Sequence, residues 1–253
     1  MPATIDSARS DITWLRRVLD FLFPPHCIAC KRMGQWLCVS CVADIAPLDL
    51  THCPQCGLRS ARPGICAHCR THPSFLVSVH SLAAHRSPLR DAVHGLKYEG
   101  VRVLAEPLAQ LLAEHWFQQE VLAEVVVAVP LHLRRERERG YNQSQLLAAE
   151  FAVKTGLTLV DGVLQRTRPT RAQVGLGVEE RWTNVQDAFA IRDIASVQAL
   201  VGRHVLLIDD VCTTGATLES CAQALLRAGA NTVRALTVTR AIGGDDAHRR
   251  SRR

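Results

Sequence analysis

Apolar and polar positions alternate in two different ways along this chain, and the change falls near residue 75. At the N-terminal end, Ile12, Leu15, Leu19 and Leu22 recur at helical spacing and predict an amphipathic helix over 11–22. Ser10 or Asp11 can cap it, and Pro24-Pro25 ends it. Residues 26–72 carry too few apolar positions for a hydrophobic core of their own. From Phe75 onward the pattern becomes α/β. FLVSVHSLAA (75–84) predicts a strand. Residues 103–117 predict a helix, with Val103, Leu104, Leu108, Leu111, Leu112 and Trp116 on its apolar face. The run VVVAVP (125–130) has the continuous apolar character of a strand covered on both sides. A helix is expected over 143–155, with Leu146, Leu147, Phe151 and Val153 inward and Gly156 just past its end. HVLLID (204–209) predicts a second buried strand, followed by a Thr/Gly turn and a helix at 217–228 closed by Gly229. TVRALTVT (232–239) predicts a third strand. Strands alternating with helices imply a parallel sheet with helices on its faces and a core of its own, separate from the segment before it.

What orders residues 26–72 is written in the cysteines. Eight of the ten in the chain form four CxxC pairs, Cys27/Cys30, Cys38/Cys41, Cys53/Cys56 and Cys66/Cys69. Each CxxC turn offers two thiolates to one cation, and two turns complete a tetrahedron. Zinc suits four thiolates and performs no redox chemistry. Its binding supplies folding energy of order 10 kcal/mol per structural site. The simplest partition is sequential, Cys27, Cys30, Cys38 and Cys41 in one site and Cys53, Cys56, Cys66 and Cys69 in the other; a cross-braced arrangement is the alternative. A reducing compartment argues against disulfides. Four-thiolate sites are closed, so both zincs are expected to be structural, with His26, His52 and His68 as polar neighbours.

Composition narrows the class. The 253 residues are 47% hydrophobic and 21% charged, which excludes a disordered, collagenous or coiled-coil chain. No apolar run approaches the ~18–20 residues that span a membrane, and Arg16 and Arg17 interrupt the N-terminal apolar stretch, so no secretory signal is read. A soluble cytoplasmic protein is expected. The net charge is +6, and of 30 cationic residues only Lys31, Lys97 and Lys154 are lysine. Arginine suits oxyanions through its planar fork, although base composition of a genome can produce the same bias. Arg249, Arg250, Arg252 and Arg253 form a solvated basic tail.

The strongest chemical signal is VLLIDDVCTTGATLESC (205–221). A buried strand ends in Asp209 and Asp210, a short Thr/Gly loop follows, and a helix begins. Gly215 permits a tight turn. Backbone N–H groups at the helix start, helped by the helix dipole and by the hydroxyls of Thr213, Thr214 and Thr217, favour a phosphate. Carboxylates beside such a nest suit the hydroxyls of an attached ribose. Neither a Walker A loop nor a G-x-G-x-x-G turn is present. Cys212 is expected to be a small filler and Cys221 a core residue.

This segment resembles the phosphoribosyl pyrophosphate (PRPP) signature of type I phosphoribosyltransferases. Three further stretches resemble the ComF (ComFC) family, associated with DNA uptake in natural competence: LKYEG (96–100), VPLHLRRERERGYNQSQLLA (129–148) and RTRPTRAQVGLGVEERWTNVQDAF (166–189). The cysteine-rich segment is similar to that family's double zinc ribbon. The resemblance spans roughly residues 20 to 240 and implies an N-terminal helix (1–24), a double zinc ribbon (25–74), a phosphoribosyltransferase-like parallel sheet with flanking helices (75–242) and a basic tail (243–253). It implies PRPP binding by Asp209, Asp210, Val211, Cys212, Thr213, Thr214, Gly215, Ala216 and Thr217. Asp209 and Asp210 would take the ribose hydroxyls and Thr213 to Thr217 the 5′-phosphate. Arg139 would contact the pyrophosphate side, Arg181 and Asn184 would anchor a flap over residues 166–181, and Mg²⁺ would bridge ligand oxygens. Arg134, Arg135 and Arg137, interleaved with Glu136 and Glu138, are expected to include a solvated face. Two departures stand out: Thr213 occupies the region where purine-salvage enzymes of this fold carry an acid facing the base, and His85 stands where relatives carry an aromatic. The function expected is handling of single-stranded DNA with DNA-uptake proteins through a PRPP-type site. An active phosphoribosyltransferase on an unknown base or amine, and a non-catalytic PRPP or nucleotide-binding module, are the alternatives.

Overall fold

Val125–Ala128 and Val205–Ile208 contain no polar side chain, and both lie inside a sheet covered on its two faces. In the computed structural model the described residues are 24–48, 53, 55–56, 64–71, 74–119, 122–168 and 188–241. The helix expected over 11–22, most of the flap with Arg181 and Asn184, His52, and the basic tail lie outside them. Five strands form an all-parallel sheet: β1 (Ser78–Ala84), β2 (Val125–Ala128), β3 (Thr158–Leu159), β6 (His204–Cys212) and β7 (Thr232–Arg240), in the order β1-β7-β6-β2-β3. An antiparallel hairpin of β4 (Leu164–Arg166) and β5 (Phe189–Ile191) stands beside it.

Strand pleating divides the core in two. Leu206 and Ile208 of β6 point with Leu236 and Val238 of β7 toward one face, packed by α3 (Leu89–Tyr98), α4 (Ala105–Phe117) and α6 (Gln143–Thr155). Val205 and Leu207 point with Val233 and Ala235 toward the other, packed by α8 (Ala216–Arg227) and the hairpin. The remaining helices are short: α1 (Val39–Ala43), α2 (Ala67–Thr71), α5 (Leu133–Arg139) and α7 (Ile194–Gln198). No helix among the described residues is long and apolar enough to cross a membrane.

Several expectations shift by a turn or a face. The helix expected from 103 begins with a 3₁₀ turn, Arg102–Leu104, which leaves Val103 at 40% exposure. Val153 is 82% exposed rather than inward, because Phe151 and Ala152 already fill that side of α6. Gly156 ends α6 in the left-handed conformation, φ 74°, as expected. β6 does not stop at Asp209: Val211 and Cys212 stay paired with Thr239 and Arg240 of β7, so both acids lie within the strand. The segment before the sheet also lacks the separateness expected of it. Cys27, Leu37, Cys38 and Cys41 share one continuous apolar cluster with Leu89, Leu96 and Leu104. Gly95 of α3 allows this approach: a Cβ there would stand 3.2 Å from Ile28 Cδ1 and 3.0 Å from Leu104 Cδ1.

Candidate functional site

The eight paired cysteines gather sequentially. Cys27, Cys30, Cys38 and Cys41 form one quartet and Cys53, Cys56, Cys66 and Cys69 the other, each with its sulfurs within 4.8 Å of one another. Cys27–Cys41, Cys30–Cys38 and Cys56–Cys66 stand 3.7, 3.6 and 3.8 Å apart. A zinc tetrahedron with Zn–S bonds of about 2.3 Å requires about 3.8 Å between sulfurs, whereas a disulfide requires about 2.05 Å. Amide N–H groups of Cys38 and Cys66 donate to Cys27 and Cys53 Sγ at 3.4 and 3.3 Å. Burial opposes ionisation of Cys27 and Cys53, but these and neighbouring amides outweigh it and lower both thiols to about 6. Cys41 and Cys69 move the other way, raised by burial and by the sulfurs around them. Four crowded thiols cannot all ionise without a cation, and zinc supplies it. These are two structural zinc sites.

The second site lies at the carboxyl end of β6. Asp209 Oδ1 accepts from Ser144 Oγ at 2.7 Å and from the Asp210 amide at 2.9 Å. Ser144 is carried there by the start of α6, where Asn142 caps the helix, accepting from the Ser144 amide and donating to Val129 O. Asp209 remains partly exposed. Its carboxyl is raised to about 7, by burial first and then by the neighbouring Asp210 charge, against the pull of Lys97 and the Ser144 hydrogen bond. Asp210 differs sharply. It is 2% exposed, its Oδ1 lies 2.9 Å from Lys97 Nζ, and its Oδ2 is buried with no hydrogen-bond partner.

Beyond Cys212 the chain turns through Thr213 and Thr214 into α8. Gly215 caps the helix with φ 83°, and a Cβ there would meet nothing within 4 Å. Backbone conformation, not space, therefore requires glycine. Thr214 Oγ1 accepts from the Ala216 amide at 3.4 Å. Cys212 is buried and receives a hydrogen bond from Arg240 Nη2 at 3.1 Å; burial raises both its thiol and that of Cys221. Both are packed interior residues, as expected.

The RGYNQ segment forms the adjoining wall. Arg139 donates to Gln143 Oε1 and lies 5.5 Å over the Tyr98 ring. Tyr141 donates to Leu96 O, and Arg102 stacks 4.5 Å over the Tyr141 ring. Arg134 pairs with Glu138 at 2.9 Å on an exposed face, as the alternating charges implied. His85 Nδ1 shares a hydrogen bond with Thr239 Oγ1 at 2.8 Å; burial, then the Lys97 charge, lower its pKa. Lys97, Ser144 and Asn142 were absent from the sequence-derived site, although all three stand in the LKYEG and RGYNQSQ stretches.

Both parts of the chain are similar to known proteins. Residues 18–70 match the double zinc ribbon domain and residues 71–252 the phosphoribosyl transferase domain. The DNA utilization protein YhgH of Salmonella typhimurium is 33% identical over 228 residues, covering 87% of this chain and 98% of that protein. Competence protein F of Haemophilus influenzae is 28% identical, covering 85% of this chain and 97% of that protein. Competence protein ComFC of Bacillus subtilis is 25% identical, covering 87% and 85%. Two cysteine quartets precede a parallel sheet here, in the order of the two matched domains, and the chain belongs to the ComF family, with a phosphoribosyltransferase fold and an N-terminal double zinc ribbon.

Proposed function

We propose that this competence-associated protein binds PRPP with Mg²⁺ at the end of β6 and serves single-stranded DNA uptake or processing in the cytoplasm. The observation that carries the sugar-phosphate part is the pairing of Asp209 with the α8 N-terminus. A carboxylate oriented by Ser144 and a backbone amide faces the same edge as a twelve-residue helix entered through a left-handed glycine. Such a helix start takes a phosphate and such a carboxylate a ribose hydroxyl. Arg139, Arg181 and Asn184 belong to the pyrophosphate side and flap in this reading.

The donor set fits Mg²⁺. Asp209 Oδ1 is engaged twice, which leaves Oδ2, and Mg²⁺ is commonly held by one or two carboxylates together with substrate phosphates and water. The ion would neutralise charge on the ligand's phosphates, and Asp209 would hold it. The DNA part is supported by the relatives' names, the +6 charge and the arginine excess. Calorimetry with PRPP, with and without Mg²⁺, tests the site. Saturable Mg²⁺-dependent binding, weakened about ten- to a hundredfold by Asp209→Asn, is expected, since a charge-assisted hydrogen bond contributes roughly 1.5–3 kcal/mol. No heat with the wild type, or equal affinity in the variant, would mean that the loop holds something else.

A further inference from the structure

The two zinc knuckles are attached to the sheet in different ways. Cys27, Leu37, Cys38 and Cys41 lie in the apolar cluster built by α3 and α4. Of the second quartet only Cys53 is buried, and no described residue of 53–71 joins either apolar cluster. Ile65, beside Cys66, is exposed. The first knuckle is thus held by the core, whereas the second depends on its metal and on polar contacts.

Those contacts fall at both ends of the Thr/Gly loop. At its start, Arg240 Nη2 donates to Cys56 O at 2.9 Å and to Cys212 Sγ at 3.1 Å. At its end, Glu219 in the first turn of α8 accepts from Ser74 Oγ and from the Phe75 amide, the latter at 2.9 Å, in the chain that leaves the second knuckle. Residues 213–218 are therefore bracketed between two ties to one element.

Arg240 is the member of this bracket that can change state. It is 2% exposed, and its Nη1 is buried with no hydrogen-bond partner. Its two acceptors are a carbonyl and a thiol whose ionisation is opposed by burial, so neither carries a counter-charge. A buried guanidinium of this kind is costly to desolvate and stays inside only while both acceptors stay. Pairing of β6 with β7 places the Cys212 sulfur, and the second quartet places the Cys56 carbonyl. Loss of the metal frees the Cys56 turn, withdraws that carbonyl and lets the guanidinium turn to water. Cys212 then loses its donor, and the loop loses the tie at its start.

We propose that zinc occupancy of the second quartet switches the order of the Thr/Gly loop, with Arg240 as the positioning residue that couples them. The inference does not depend on which ligand the loop takes. Coupling between two sites is reciprocal, so whatever orders the loop also slows loss of zinc from this quartet, while the first quartet is indifferent.

Amide hydrogen exchange by NMR and zinc release to a chromophoric chelator test this on the full chain. The amides of Glu219 and Ala241 donate to Gly215 O and Cys212 O, on the two sides of the loop. In Cys53→Ser/Cys56→Ser, which keeps the first quartet, they are expected to exchange about tenfold faster or more, while Leu206 to Ile208 keep their wild-type exchange. Arg240→Met keeps both quartets and replaces the buried charge by an apolar side chain. It is expected to show the same local rise and to release one of its two zincs about fivefold faster or more, the other at the wild-type rate. Unchanged exchange at Glu219 and Ala241 in the cysteine variant overturns the inference. A rise that extends to Leu206–Ile208 overturns it too, because the metal would then support the whole sheet. Wild-type zinc release from Arg240→Met overturns the coupling through Arg240, and that variant decides alone if the cysteine variant does not fold.

Discussion

Replacing Asp209 by Asn is expected to stabilise the fold while weakening the site. The carboxyl holds its proton up to about 7, against 3.8 for the ordinary group. The folded state thus binds this proton more tightly than the unfolded chain does. The associated stability is present in full below pH ~4 and is lost as pH rises through 7. At about 1.4 kcal/mol per tenfold change in proton affinity, the acid costs roughly 4 kcal/mol at pH 8.5, where it is ionised in the fold, and roughly 2 kcal/mol at pH 5.5, where folding must first protonate it. An amide has the same shape. Its oxygen still accepts from Ser144 Oγ and the Asp210 amide, the two bonds Asp209 Oδ1 accepts. Asp209→Asn should therefore be more stable than wild type, by about 2 kcal/mol at pH 5.5 and about 4 kcal/mol at pH 8.5. Urea unfolding of zinc-loaded protein at several pH values in that window measures it. A constant difference across the window, or a variant less stable at pH 8.5, would refute the reasoning, because it would mean that Asp209 is not held against its charge. The same variant is expected to bind PRPP poorly, which is how a strained functional carboxylate behaves.

Elemental analysis of protein purified without chelator should give two zinc ions per chain, and a value near zero would sink the assignment of both quartets. Replacing Cys27 and Cys30 by Ser is expected to lower the melting temperature of the whole α/β core, because the first knuckle shares that core; replacing Cys53 and Cys56 should leave the sheet folded by circular dichroism. Tyr141→Phe removes the hydrogen bond to Leu96 O and should cost about 1 kcal/mol in urea unfolding; no loss would mean that α3 and the α5–α6 connection are joined by packing alone. Single-stranded DNA, if bound through the ribbon and flap, should dissociate with salt at a log–log slope of roughly 0.7 per neutralised phosphate, and show little base preference in a chain that is 5% aromatic. No retained DNA at low salt would remove direct DNA binding.

The features legible in the chain are those carried by local spacing. CxxC pairs bind metal through turn geometry, and the sulfurs gather in the sequential order that spacing makes simplest. Fully apolar strands declare a sheet covered on both faces, and Gly215 declares its turn. The features missed depend on contacts far apart in sequence. Lys97 meets Asp210 across 113 positions, and nothing in the local pattern of α3 distinguishes that lysine from a solvated one. Ser144 reaches Asp209 only because Asn142 starts α6 beside β6. Two adjacent acids invite the reading that a strand has ended, yet pairing with β7 carries β6 on to Cys212. That extension keeps both aspartates within the strand, where Asp209 meets Ser144 and Asp210 meets Lys97.

The same extension explains why the zinc ribbon is not a detachable module. Arg240 pairs in register with Cys212 at the end of the sheet and is 2% exposed. Its Nη2 donates both to Cys212 Sγ at 3.1 Å and to the backbone oxygen of Cys56 at 2.9 Å, while its Nη1 is buried with no hydrogen-bond partner. A buried guanidinium is expensive to desolvate, so this one persists where its acceptors are held in place. Cys56 is a zinc ligand, and the metal restrains its turn; Cys212 is the last residue of β6 and leads into the Thr/Gly loop. Arg240 therefore spans the second knuckle and the loop, just as Ile28 joins the first knuckle to α3 at Gly95. A chain with too few apolar residues over 26–72 to fold that segment alone uses the sheet for one knuckle's core and a sheet-edge arginine for the other's anchor. The metal sites and the Thr/Gly loop after β6 consequently share one frame.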